Sequence, residues 1–113
     1  QEPRRRLKKY EELLPHFLET KALAFSSDYT AVEAINFFTD RGIRIPDQIS
    51  ITGFDDNFYA QIVRPKLTTI HQDVHQKAVL ALRKLLLMAE GKEPAEKNVK
   101  SPVWLVKGDS VKE

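Results

Sequence analysis

Cysteine is absent from the 113 residues, which excludes disulfides, thiolate zinc sites and cysteine nucleophiles. Long apolar runs are lacking too. The longest mostly apolar stretch, Ala78 to Ala89, is broken by Arg83 and Lys84 and falls short of the roughly 20 residues a membrane span needs. No charge sign dominates, since 18 Lys plus Arg stand against 16 Asp plus Glu for a net charge of +2. The chain as a whole therefore carries no field that would gather a polyanion. Gln1 to Lys9 hold charge with no apolar stretch behind them, so no secretory signal is read there. A glycine-rich phosphate loop and a GxSxG nucleophile elbow are likewise missing. What is present is 42% apolar and 30% charged residues, the mixture of a globular protein of one domain's length.

Apolar spacing gives the organisation. Leu7, Tyr10, Leu13, Leu14, Phe17 and Leu18 recur at helical intervals after Pro3, predicting an amphipathic helix over 3–19 that Pro15 kinks or splits. Lys21 to Ser26 reads as a short buried strand running into a helix capped at Ser27-Asp28. That helix has a core face of Ala31, Ala34, Ile35 and Phe38 and stops at Gly42, suited to a left-handed C-cap. A turn at Pro46-Asp47, a strand over 48–53, caps at Asp55-Asp56-Asn57 and a short helix through Ile62 follow. Arg64-Pro65 then makes an extended connection. A third strand over 66–71, a long helix capped by Asp73 and ending before Gly91, and a fourth strand over 103–107 complete the pattern. Strands alternating with helices predict an α/β fold, a parallel sheet with flanking helices. The helix over 74–89 carries Val74, Ala78, Leu82, Leu85 and Ala89 on one stripe and Val79, Leu80, Leu86 and Leu87 on other sides, so it wants cover on more than one face.

In an open parallel sheet, ligands bind beyond the carboxyl ends of the strands, where loops and helix N-termini converge. Ser26-Ser27-Asp28, Asp55-Asp56-Asn57 and His71-Gln72-Asp73 each follow a predicted strand. Any one of them could be only a helix cap. Three on one rim suit hydrogen bonding to a polyol or a base edge, and none supplies an activated nucleophile. His71, Asp73 and His75 would share a face only if extended, and a helix beginning at Asp73 scatters them, so no metal site is expected. No cofactor is expected either. Arg4, Arg5, Arg6, Lys8 and Lys9, followed by Glu11 and Glu12, read as a solvated helix face. His16 reads as a surface residue and Trp104 as a packing residue of the fourth strand.

Three ordered runs carry a family resemblance. They are Ser27-Asp28-Tyr29-Thr30-Ala31, Gly42-Ile43-Arg44-Ile45-Pro46-Asp47-Gln48-Ile49-Ser50-Ile51-Thr52-Gly53-Phe54-Asp55-Asp56, and Pro65-Lys66-Leu67-Thr68-Thr69-Ile70-His71-Gln72. In order and spacing they resemble the effector-binding domain of the lactose-repressor (LacI/GalR) family of bacterial transcription regulators, across residues 21–91. Lys77 and Ala78 depart from the apolar residue and glycine usual there.

The resemblance implies a partial two-lobed fold like that of type I periplasmic binding proteins. Residues 1–113 would form the C-terminal portion of the effector-binding domain, mostly its second lobe, with about 72–100 belonging to the first. It further implies a non-enzymatic, cytoplasmic sensor of a small-molecule effector, a sugar or sugar phosphate. Operator DNA would be reached only through an N-terminal helix-turn-helix outside this chain, without any membrane contact. Ser27, Asp55 and Gln72 are the implied effector contacts, with Asp28 and Asp56 as caps and loop ties. A homodimer contact is expected through Val32, Asn36, Tyr59 and Ile62. The alternatives are a transporter's solute-binding protein and, more weakly, an acidic-site enzyme.

Overall fold

The computed structural model describes residues 2–95 and 98–113. Eight elements follow one another as α1 (Pro3–Thr20), β1 (Ala22–Ala24), α2 (Asp28–Asp40), β2 (Ser50–Thr52), α3 (Phe58–Ile62), β3 (Thr69–Gln72), α4 (Val74–Ala89) and β4 (Val103–Val106). They divide into two compact units, one of 1–71 with 105–113 and one of 72–104.

In the first unit β1 and β2 pair in parallel, with Leu23 opposite Ile51. Parallel bridges join Thr52 to Thr68 and Asp55 to His71, so the segment entering β3 flanks β2 on its other side. The end of the chain also reaches this edge. Ser110, fully buried, donates from Oγ to the Ile51 carbonyl at 2.5 Å and accepts from the Thr68 N–H at 2.8 Å. β3 and β4 form the second two-stranded sheet.

The core lies between α2 and the sheet. Ala31, Ala34, Ile35 and Phe38 are buried as the helical spacing predicts, against Ile49, Ile51, Ala60 and Leu67. Phe37 is buried as well, because α1 covers a second side of α2. Tyr10 stands edge-on to Phe37 with ring centroids 5.6 Å apart, and Phe17 meets Phe38 at 6.1 Å. Arg6 clamps the two helices together by gripping both carboxylate oxygens of Glu33 at 2.9–3.0 Å. That hydrogen bond raises the Arg6 pKa above its ordinary value. Burial in the same seam pushes the Tyr10 phenol up.

Of the two outcomes expected at Pro15, a split does not occur, since α1 continues to Thr20; packing of Tyr10, Leu14 and Phe17 against the core outweighs the one hydrogen bond a proline removes. Trp104 is not packed away, with about half its surface (52%) exposed.

Helix ends follow the predicted chemistry. Gly42 has φ 76°, and Ile43 N–H returns to the Phe38 carbonyl, the Schellman pattern that satisfies a last-turn carbonyl. α4, in the second unit, ends the same way at Gly91, with Lys92 N–H on the Leu87 carbonyl. None of its residues is buried, and Val74, Leu82, Leu85, Leu86 and Met88 are well exposed.

Candidate functional site

Because β1 and β2 run in parallel, the chain leaves both at the same edge of the sheet. Ser27 and Asp55 follow those strands by a few residues, and the Asp55–His71 bridge brings the end of β3 to the same edge. Ser27 is the N-cap of α2. Its Oγ accepts from the Thr30 N–H at 3.3 Å and lies 2.9 Å from the Thr30 hydroxyl. A hydroxyl has one donor and two acceptor positions, so capping does not exhaust it.

Of the run Asp55-Asp56-Asn57, read as offering caps for α3, the last residue takes that place. The cap is Asn57, whose Oδ1 accepts from the Tyr59 N–H at 3.0 Å. Asp55 and Asp56 instead take φ values of 123° and 61°, the left-handed side that favours glycine. Together they turn the chain from the strand edge toward α3, and both are half-buried. His71 Nδ1 lies 2.8 Å from Asp56 Oδ2.

Beneath the turn sits Asp28, with no exposed surface. Its Oδ1 accepts from the Thr69 hydroxyl at 2.6 Å and its Oδ2 from the Asn57 N–H at 2.8 Å. One carboxylate thus links the start of α2, the loop after β2 and β3, the loop-tie role expected for it. Charge at the first turn of α2 also suits the positive end of the helix dipole.

Gln72 is the first residue of the second unit. Its Oε1 accepts from Lys77 Nζ at 2.6 Å, while Asp73 caps α4 through the Gln76 N–H. The Asp56–His71 pair and the Thr69–Asp28 bond were not foreseen. Both join residues far apart in sequence, and no local pattern signals them. A groove of about 710 Å³ lies at the opposite ends of β1 and β2, where the basic Lys21 and Lys112 face the acidic Asp47 and Glu113 beside Leu18 and Ser50.

On the expected self-association face, Asn36, Tyr59 and Ile62 are exposed, whereas Val32 is half-buried at the margin of the core. Tyr29 and Tyr59 meet edge-to-face, centroids 5.5 Å apart, and Phe58 beside them is 70% exposed.

A parallel α/β layer with polar loops gathered at the carboxyl edge is the architecture of one lobe of a periplasmic-binding-protein-like fold. The family model for the periplasmic binding protein-like domain matches residues 1–111, and the chain belongs to that family, in the form carried by LacI-type regulators. It is 38% identical over 92 residues to the probable HTH-type transcriptional repressor ExuR of Bacillus subtilis, covering 80% of this chain and 27% of that protein. It is 37% identical over 101 residues to the HTH-type transcriptional regulator GalR of Escherichia coli, covering 88% of this chain and 29% of the relative. Among solved structures, the lac repressor dimer bound to operator and the anti-inducer ONPF matches with a TM-score of 0.78 and 28% identity, over 93% of this chain and 36% of that one. The chain thus spans under a third of the curated relatives named here. These relatives are regulators of transcription rather than enzymes. Among the described residues, no helix is long and apolar enough to cross a membrane.

Proposed function

We propose that this chain is the effector-sensing and self-associating portion of a LacI-type transcription regulator. It takes a small-molecule effector, a sugar or sugar phosphate, and passes the binding event to a helix-turn-helix that contacts operator DNA. It acts in the cytoplasm without catalysing a reaction. The observation that carries this reading is the convergence of Ser27 and the Asp55 turn at one edge of a parallel sheet, where hydroxyl and carboxylate groups suit a polyol. Gln72, following His71 at the end of β3, is the third proposed contact. The relatives, all named as HTH-type regulators, favour this over a transporter's solute-binding protein.

Residues 72–100 would belong to the first lobe of a two-lobed domain and the rest to the second. The division of the chain at Gln72 and Trp104 supports that assignment. Dimerisation would use Val32, Asn36, Tyr59 and Ile62, and the exposed aromatic cluster of Tyr29, Phe58 and Tyr59 supports an interface there.

The test is calorimetry on the product of the whole reading frame containing this chain, titrated with hexoses, hexuronates, hexose phosphates and disaccharides. At least one should bind. Asp55→Ala should then cost roughly 1.5–3 kcal/mol of affinity, the range for a hydrogen bond to a charged group. Unchanged affinity would remove Asp55 from the site, and no binding across the panel would overturn the sugar reading.

A further inference from the structure

Asp55 and Asp56 both lie at positive φ, at 123° and 61°. Two consecutive non-glycine residues hold such a backbone only where the surroundings over-determine it. The ties are identifiable. Asp55 N–H donates to the Ile70 carbonyl at 2.9 Å, and Asp28 N–H to the Phe54 carbonyl at 3.0 Å. The Asp28 carboxylate holds the Asn57 N–H just past the turn, while the Thr69 hydroxyl fixes its other oxygen. His71, directly across the bridge from Asp55, reaches Asp56 at 2.8 Å.

Gly53, just before the turn, adds a constraint of space. A Cβ there would stand 2.4 Å from Asp28 Oδ1 and 2.7 Å from a Leu67 methyl. The backbone entering the turn is therefore laid directly on the Asp28 carboxylate, which no side chain at position 53 could separate from it.

We propose that Asp28 and His71 are positioning residues. By clamping the Asp55–Asp56 turn from below and from the neighbouring strand, they aim the Asp55 carboxylate at the effector without touching the effector themselves. The proposal rests on the reading of Asp55 as an effector contact. A strained turn freed of either clamp relaxes toward negative φ, which turns the side chain at position 55 away from its present direction. Affinity is then lost while the core, built from α1, α2 and the sheet, stays in place.

The experiment compares His71→Leu, which keeps bulk and removes the hydrogen bond, with His71→Asn, whose amide nitrogen can occupy the place of Nδ1. Both are made in the product of the whole reading frame. Hydrogen–deuterium exchange reads the turn without any ligand, and calorimetry reads affinity for whichever sugar of the panel binds the wild type. His71→Leu should raise exchange at the Asp55 and Asn57 amides at least tenfold, leave Ile51 and Phe38 protected, and weaken the sugar about tenfold or more. His71→Asn should restore both to within about threefold. Asp28→Asn, which keeps the shape but loses one acceptor, should act in the same direction; should it unfold the protein, the His71 pair decides.

Unaltered exchange in His71→Leu would overturn the proposal. So would raised exchange with undiminished sugar affinity, or failure of His71→Asn to rescue. If no sugar binds the wild type yet exchange responds as stated, the clamp stands and the sugar reading falls.

Discussion

Asp28 shows at the scale of one residue how burial and function are joined. A carboxylate with no exposed surface is tolerated because both oxygens are met by donors, the Thr69 hydroxyl and the Asn57 N–H. Asp28→Ala would leave the buried Thr69 hydroxyl unpaired, at about 1–3 kcal/mol, and the half-buried Asn57 N–H unpaired, at somewhat less. The expected loss is about 2–5 kcal/mol, read as a lower urea midpoint. Little change would mean that water replaces the carboxylate. Gly53→Ala should destabilise by about 1–3 kcal/mol through overpacking, since the added methyl meets that carboxylate and Leu67. An unaltered melting temperature would show that the loop yields. At this scale Ser27 and Asp55 were legible in sequence because strand ends are local features that a polar cluster marks. The ties His71–Asp56 and Ser110–Ile51 were not, since their partners lie 15 and 59 residues apart in sequence.

Elements were more legible than their surroundings. The caps at Ser27, Asn57 and Asp73 and the glycine ends at Gly42 and Gly91 depend on a few neighbouring residues, so sequence suffices to place them within a residue or two. Pro15 leaves α1 unbroken because a local rule about proline is weaker than the packing of a whole helix face, a tertiary term. The same seam gives a pH prediction. Burial raises the Tyr10 phenol above its ordinary value of 10.0. Above that pH the unfolded chain releases the proton before the folded one does. The contribution of Tyr10 is therefore fully present below about pH 10 and lost as pH rises through the higher folded value. Denaturant midpoints between pH 9 and 11.5 should fall more steeply for the wild type than for Tyr10→Phe. Parallel slopes would show that the phenol opens to solvent without disturbing the α1–α2 packing.

For the molecule as a whole, the apolar surface left by the first unit is uneven. Tyr29, Phe58, Tyr59 and Ile62 are each 42–70% exposed, and they stand on α2 and α3, two elements already packed together. Aromatic residues grouped in this way are enriched at interface cores, and a two-fold contact needs only one such patch because each copy presents it to the other. Val32 is a poor probe of that contact, since it also packs at the margin of the core; a charge there would confuse unfolding with dissociation. Tyr59→Glu with Ile62→Glu avoids the difficulty. Each substitution occurs twice across a two-fold axis, so like charges face one another, a juxtaposition that costs several kcal/mol. Sedimentation velocity at micromolar concentration should then give dimer for the wild type and monomer for the double variant, with an unchanged circular dichroism spectrum. An undiminished dimer would place the contact on another face.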